Sequence, residues 1–172
     1  ITSNVCALFR EYLIAHDFTE IHSPKLIGGA SEGGSSVFRL KYFGRDCCLA
    51  QSPQLYKQMC AACSDMERVF EIGPVFRAEN SNTHRHLCEF TGLDLEMAIN
   101  EHYYEVLDVY SELFDYIFSG INERCKPELA AVQKQYAFVP LKWHKKALRL
   151  TFTEGMKLLN EAGVETKMAD LS

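Results

Sequence analysis

The sequence has none of the long apolar runs or targeting features that mark membrane and secreted proteins. No stretch of about 18 uncharged apolar residues occurs among its 172 residues, so no membrane-spanning helix is predicted. The N-terminal residues ITSNVCALFREYLIAHD include acidic residues and do not have the layout of a signal peptide. Because position 1 is not Met, we expect the chain to begin inside a longer protein.

An excess of basic charge is absent as well. The formal net charge is −5, which argues against a strongly basic nucleic-acid-binding protein, although binding through a local patch is still compatible with it. Hydrophobic residues make up 47% and charged residues 24% of the chain, and no repeats or low-complexity tracts occur. This length and composition fit one soluble globular domain.

The cysteines form neither a disulfide framework nor a zinc ribbon. There are seven of them, an odd number, and their spacing is irregular, so reduced thiols in an intracellular protein are expected. Cys60 and Cys63 form a C-x-x-C pair, but a zinc ribbon needs a second pair. We expect these two cysteines to be small apolar residues on a helix.

Hydrophobic periodicity predicts an α+β domain with a mostly antiparallel sheet flanked by helices. Ser3 and Ser52 are the expected N-caps of the first two helices, with Pro53 at the first position of the second. The segment from Lys126 to Leu148 has no clear pattern, and residues 148–152 (LRLTF) are a candidate strand. The predicted helices span 3–17, 52–63, 101–125 and 153–163, and the predicted strands span 18–24, 37–43, 46–51, 67–79 and 89–99.

Two neighbouring strands, 67–79 and 89–99, each have an apolar face and a charged face. Antiparallel pairing would bring the charged faces together, with Arg77 and Glu79 beside Phe90, Asp94 and Glu96. A solvated sheet face would explain the charges alone. However, an aromatic side chain lies on the polar face, and the connection NSNTHRHLC is longer than the usual hairpin loop of about two to five residues. Both features favour a ligand site.

The connecting loop has two chemical interpretations. His84, His86 and Cys88 have alternating spacing and could bind a metal, but no fourth ligand is indicated, so a metal site is not favoured. Together with Arg85, the two histidines instead form a cationic tip that can donate to phosphate oxygens. With Arg77 behind the loop and an aromatic plate for a base, the segment suits a nucleoside triphosphate.

Two further segments fit a pocket. Gln54 and Lys57 are three residues apart and share one face of a predicted helix, although an exposed helix face would look the same. Glu32 lies in the Gly- and Ser-rich loop of residues 27–36 and could close over a ligand, although a flexible linker is the simpler interpretation.

Four ordered segments resemble the catalytic domain of class II aminoacyl-tRNA synthetases, in particular the aspartyl type of eukaryotes and archaea. FTEIHSPKL is similar to motif 1, with Pro24 as its proline, and GPVFRAENSNTHRHLCEFTGLDLEMA is similar to motif 2. ASEGGSSVF resembles the flipping loop and LAQSPQLYKQM the aspartate-specific helix. The resemblance implies the N-terminal portion of that domain, with motif 1 at about 1–26, the flipping loop at about 27–36 and motif 2 at about 67–98.

The resemblance implies an ATP site on the hairpin. Arg77 would hold the α-phosphate and the carboxylate region of the amino acid, and would stabilise charge developing at phosphorus during adenylate formation. Glu79 would meet the adenine amino group, and Phe90 would stack on the adenine. Arg85 or His86 would reach the γ-phosphate from the loop.

The same resemblance implies an aspartate site. Glu32 and Asp94 would meet the substrate ammonium, Gln54 would bind near the α-carbon, and Lys57 would pair with the side-chain carboxylate. A buried Lys57 requires an anionic partner, which aspartate supplies and asparagine does not. Arg77 would contact the substrate between the aspartate and ATP.

The implied partners follow from the family. Ser81 and Thr83 would approach the acceptor end of tRNA(Asp), and the motif 1 segment around Pro24 would form a homodimer interface. The implied reaction makes aspartyl-adenylate from L-aspartate and ATP with Mg²⁺, then transfers the aspartyl group to tRNA in the cytoplasm. Motif 3 and the usual Mg²⁺ carboxylates are not found in this sequence, so we expect the chain alone to be inactive. A tRNA-independent asparagine synthetase and a non-catalytic synthetase-like protein are the alternatives.

Overall fold

The computed structural model describes residues 1–30, 37–81 and 83–164. None of the helices in these ranges is long and apolar enough to cross a membrane. The described elements, in chain order, are α1 (Thr2–Ala15), β1 (Thr19–Glu20), β2 (Leu26–Ile27), β3 (Arg39–Tyr42), β4 (Arg45–Leu49), α2 (Gln54–Cys63), β5 (Arg68–Phe76), β6 (Glu89–Met97), α3 (Tyr104–Arg124), α4 (Lys126–Gln135) and α5 (Phe152–Glu161).

The strands form two sheets of three strands, with orders β1-β5-β6 and β2-β4-β3. β5 and β6 pair antiparallel over their whole length, from Arg68 opposite Met97 to Phe76 opposite Glu89. The second sheet is antiparallel throughout, and only the short β1 runs parallel to its neighbour β5. The predicted α+β class with a mostly antiparallel sheet is therefore confirmed.

The main core lies between the apolar face of the β5–β6 pair and the helices α1 and α3. Phe9 meets Phe70 edge to face at 5.8 Å, and burying each such side chain contributes about 1.5–3 kcal/mol. Gly120 lets α3 approach α1, since a Cβ there would lie 2.4 Å from Leu8 Cδ2. The buried members of this core are Leu8, Phe9, Tyr12, Leu13, Phe18, Phe70, Leu95, Leu113 and Ile117.

The predicted starts of the first two helices are displaced by a residue or two. α1 begins at Thr2 with Ile1 in the cap position, and Val5 N donates to Ile1 O at 3.0 Å, so Ser3 lies inside the helix. α2 begins at Gln54 with Pro53 in the cap position. The hydroxyl of Ser52 still accepts a hydrogen bond from Gln54 N at 3.2 Å, so it serves the first turn from one position earlier than predicted.

The candidate strand at residues 148–152 is wrong. Thr151 is the N-cap of α5: its hydroxyl accepts from Glu154 N, and the Glu154 carboxylate accepts from Thr151 N at 2.7 Å. Because of this capping box, residues 151 and 152 begin a helix and do not form a strand. The alternation of apolar residues alone does not indicate this. The unassigned region after Lys126 begins with α4, which has Pro127 in its first turn.

Candidate functional site

The polar face of the β5–β6 hairpin has the composition that alternation predicted. Glu71 lies opposite Asp94, Gly73 opposite Gly92, and Val75 opposite Phe90, all on the face turned away from the α1–α3 core. The coincidence of the two charged faces is therefore confirmed.

This face is not the solvated surface that was the simpler alternative. The Glu71 residue is 2% exposed and Lys57, which reaches the face from α2, is 4% exposed. Charged groups at this depth are retained only when they are paired and hydrogen-bonded. The face is therefore a built polar cluster, and solvation does not account for it.

Arg77 and Phe90 come together at the open end of the hairpin. The Arg77 amide donates to Cys88 O at 2.9 Å, so pairing continues one residue past β5, and the guanidinium carbon lies 5.6 Å from the centre of the Phe90 ring. Arg77 Nε is buried and has no hydrogen-bond partner in the described part of the chain. A buried donor of this kind is costly unless it binds something, so the pair is suited to an anionic ligand with an aromatic group.

The loop after Arg77 is held by Thr83. The Thr83 hydroxyl is 2.6 Å from His86 Nδ1 and accepts from Arg85 N at 3.3 Å, which fixes a turn whose His84, Arg85 and His86 side chains are exposed. Thr83 thus has a structural contact that the sequence did not predict. Ser81 is exposed beside this turn.

The metal interpretation of the loop receives no support. Across residues 1–30, 37–81 and 83–164, no three His, Cys, Asp or Glu side chains are grouped to hold a metal ion. His84, His86 and Cys88 are all exposed, as expected for side chains that spread into solvent from a turn.

Lys57 is placed by α2 against β6. Its ammonium donates to Asp94 Oδ1 at 3.3 Å and to the backbone oxygen of Leu95 at 3.3 Å, and lies 3.7 Å from Glu96 Oε2. Lys57 and Asp94 were predicted to bind opposite ends of one substrate, and here they also bind each other. Gln54 shares the helix but is exposed, so a spacing of three residues did not give it the burial of Lys57.

Glu79 is a predicted site residue that the structure does not bring into this cluster. Glu79 follows Arg77 in a tight turn, with its amide donating to Arg77 O at 2.8 Å, and it is exposed. Glu32 lies outside the described residues. Pro24 is exposed on the segment between β1 and β2.

A second ion pair on the hairpin face, between Lys25 and Glu71, was not predicted from the sequence. One carboxylate oxygen of Glu71 accepts from the Ser23 hydroxyl at 2.7 Å and from the Ser23 amide at 3.2 Å, and the other accepts from the Lys25 ammonium. Alternation places Glu71 on the same strand face as Arg77, so Glu71 could have been identified as a site residue. Nothing in the sequence spacing linked Glu71 to residues 23–25. Gln51, fully buried just before α2, was also missed.

Comparison with known proteins gives consistent results. The family model described as tRNA synthetases class II (D, K and N) matches residues 1–170. Cytoplasmic aspartate–tRNA ligase 2 of Arabidopsis thaliana is 64% identical over 157 residues, which are 91% of this chain and 28% of that protein. The chain therefore spans little more than a quarter of that relative.

Two solved structures have the same fold. Aspartyl-tRNA synthetase from Entamoeba histolytica aligns with TM-score 0.80 and 45% identity, over 99% of this chain and 31% of that one. Asparaginyl-tRNA synthetase from Pyrococcus horikoshii, complexed with asparaginyl-adenylate, aligns with TM-score 0.80 and 31% identity, over 98% of this chain and 38% of that one. With the family model matching almost the whole length, the chain belongs to the class II tRNA synthetases of the D, K and N group.

Proposed function

We propose that the protein containing this chain is an aspartate–tRNA ligase that charges tRNA(Asp) in the cytoplasm. The observation that carries the proposal is Lys57, a buried cation held beside Asp94 and Glu96 on the same sheet face as Arg77 and Phe90. The high identity to relatives named as cytoplasmic aspartate–tRNA ligases supports the same assignment.

The chain would be the N-terminal portion of the catalytic domain. Motif 1 would cover about residues 1–26, the flipping loop about 27–36 and motif 2 about 67–98. In motif 2, Phe90 would stack on the adenine of ATP, Glu79 would meet its amino group, and Arg85 or His86 would hold the γ-phosphate. The unpaired, buried Nε of Arg77 fits a phosphate oxygen.

The first step would join aspartate to ATP. The α-carboxylate of aspartate attacks the α-phosphorus, the bond to the bridging oxygen breaks, and pyrophosphate leaves. Arg77 would stabilise the charge that develops on the phosphorus oxygens, a type of contribution worth about 10²–10³ in rate. Mg²⁺ would accompany ATP, and the resemblance implies that the carboxylates that hold it lie mainly outside this chain.

Aspartate would be recognised by the charged groups at the other end of the face. Lys57 would pair with the side-chain carboxylate, Asp94 with the ammonium, and Gln54 would approach the α-carbon, with Glu32 closing from the loop. Asparagine has no charge to offer Lys57, so it would bind without the additional ion pair that aspartate makes with the buried ammonium. This difference would select the acid over the amide.

In the second step the terminal ribose hydroxyl of tRNA attacks the aspartyl carbonyl carbon, and AMP leaves. Ser81 and Thr83 would lie near the acceptor end, on the loop beside the ATP site. The enzyme would act as a homodimer, with Pro24 in the interface. Light scattering on the full-length protein should give twice the subunit mass, and a monomeric mass would refute the dimer.

A tRNA-independent asparagine synthetase on the same fold is the second candidate. The observation that favours the ligase over it is the ordered His84–His86 turn beside Arg77, which is suited to an RNA end. A non-catalytic relative is expected to have lost Arg77, Glu79 or Phe90, and this chain has all three.

The test is pyrophosphate exchange by the full-length protein with aspartate and with asparagine, followed by charging of tRNA. We expect exchange with aspartate only, and aspartyl transfer to tRNA(Asp). Exchange with neither amino acid, or with asparagine alone, would refute the proposal. Release of free asparagine from aspartate and ammonia without tRNA would favour the second candidate.

A further inference from the structure

The ion pair between Lys25 and Glu71 lies on the substrate face but has no assigned role. Glu71 has a side chain that is 3% exposed, and its two oxygens are shared between Lys25 and Ser23. Lys25 Nζ also donates to the Ser23 hydroxyl at 2.9 Å. Its ammonium lies over Gly73, since a Cβ at Gly73 would be 3.4 Å from Lys25 Nζ and 3.0 Å from Glu71 Oε1. The pair is therefore part of the face itself.

Glu71 is the direct cross-strand neighbour of Asp94. Residues paired in this way have Cβ atoms about 4.5–5.5 Å apart, and like charges at such positions repel each other. The Asp94 carboxylate already uses the space that Gly92 leaves open, since a Cβ at Gly92 would lie 2.6 Å from Asp94 Oδ2. The other oxygen of Asp94, Oδ1, accepts a hydrogen bond from the Lys57 ammonium.

The cluster as a whole has one more anion than cations. Lys25 and Lys57 face the carboxylates of Glu71, Asp94 and Glu96. Removal of Lys25 would leave Glu71 as a second uncompensated carboxylate across from Asp94.

We propose that Lys25 is a positioning residue for the amino-acid site: it neutralises Glu71 and thereby keeps the Asp94 carboxylate on Lys57. This inference rests on the proposed aspartate site. Its distinctive consequence is that a change at Glu71 should cancel a change at Lys25. With a neutral amide at position 71, no charge is left to displace Asp94, so Lys25 is no longer needed for that purpose.

The experiment compares Lys25→Met, Glu71→Gln and the double variant in the full-length protein by aspartate-dependent pyrophosphate exchange. We expect Lys25→Met to raise KM for aspartate about tenfold or more while KM for ATP changes by less than about threefold. The double variant should return KM for aspartate to within about threefold of wild type, as should Lys25→Arg. Arg124→Met is the matched control, because it breaks the Arg124–Glu11 pair between α1 and α3, away from this face.

A purely structural ion pair would behave differently. Lys25→Met and the double variant would then be equally impaired, or would lose thermal stability with KM for aspartate unchanged, and either outcome would overturn the proposal. If Lys25→Met does not yield folded protein, the double variant and Lys25→Arg decide: wild-type KM in the double variant supports the proposal, and impairment overturns it.

Crystal structures provide a readout that does not depend on activity. In Lys25→Met, the Lys57 Nζ to Asp94 Oδ1 distance should lengthen from 3.3 Å to beyond about 4 Å, and it should shorten again in the double variant. An unchanged distance in Lys25→Met would overturn the inference. If wild-type protein shows no exchange with aspartate, the proposed function fails, and this distance still tests the role of Lys25.

Discussion

Replacing Lys57 by methionine tests the amino-acid site most directly, because methionine keeps the length of the side chain and removes its charge. The lysine contributes hydrogen bonds to Asp94 Oδ1 and Leu95 O and a longer contact to Glu96 Oε2. Loss of one partner of a buried ion pair costs about 3–5 kcal/mol. Here the Asp94 and Glu96 side chains are 28% and 26% exposed, so water can solvate part of their charge.

We therefore expect a smaller loss of stability, about 1–3 kcal/mol, which leaves the protein folded. The catalytic effect should be larger, because the variant offers two carboxylates and no cation to an anionic side chain. A loss of about 3 kcal/mol of transition-state binding corresponds to roughly 10² in kcat/KM for aspartate. KM for ATP should change little, since Arg77 and Phe90 form the other end of the face.

The assay is pyrophosphate exchange over a range of aspartate and asparagine concentrations, with denaturant unfolding measured in parallel. Wild type should prefer aspartate strongly, and Lys57→Met should lose most of that preference. If Lys57→Met retains the wild-type ratio of kcat/KM between the two amino acids, Lys57 does not bind the side-chain carboxylate of the substrate. The assignment of this end of the face would then be refuted.

Three further predictions concern separate parts of the structure. Arg77→Lys loses the planar group over Phe90 and should lower the exchange rate about 10²–10³-fold without unfolding the protein; near-wild-type exchange would exclude Arg77 from the reaction. Gly120→Ala gains about 1 kcal/mol in helix propensity but places a Cβ 2.4 Å from the buried Leu8 side chain. The free energy of unfolding should therefore fall by a net value of about 1 kcal/mol. An increase would show that α1 and α3 can move apart to accept the methyl group. Hydrogen bonds from the Thr151 backbone and hydroxyl hold the pKa of Glu154 below its usual 4.5. The capping interaction is therefore fully present above pH 4.5 and is lost as the pH falls through the lower folded-state pKa. Hydrogen exchange in α5 should accelerate in that pH range in wild type but should not depend on this titration in Glu154→Gln.

The hairpin could be predicted in detail because one period governs it. Successive side chains point to opposite faces throughout β5 and β6, whose pairing has one continuous register, so the sequence indicated which residues share a face, and the register then placed Phe90 and Asp94 on the face of Glu71. The proximity of Arg77 to Phe90 followed from that face.

Burial on the same face could not be predicted, because it depends on segments that are distant in the chain. Glu71 is covered by Lys25, 46 residues away, and Asp94 by Lys57, 37 residues away. Alternation specifies a face but contains no information about which helix or loop packs over it. For the same reason Gln54 and Lys57 were predicted to share one helix face, although only Lys57 is buried, against β6.

The charge distribution along the hairpin gives the proposed site a direction. At one end, Lys25 and Lys57 are outnumbered by three carboxylates, so that end favours a cation. At the other end are the guanidinium of Arg77 and the exposed His84–Arg85–His86 turn, which favour an anion. Gly73 and Gly92 separate the two ends and add no side chain of their own.

A ligand with an ammonium at one end and phosphates at the other is attracted to this face in one orientation. In the reverse orientation it is repelled, since each end of the ligand would then meet charge of its own sign. The ammonium of aspartate and the phosphates of ATP, aligned for attack on the α-phosphorus, have that polarity, while Lys57 would offset the side-chain carboxylate of aspartate. The face would therefore orient the two substrates.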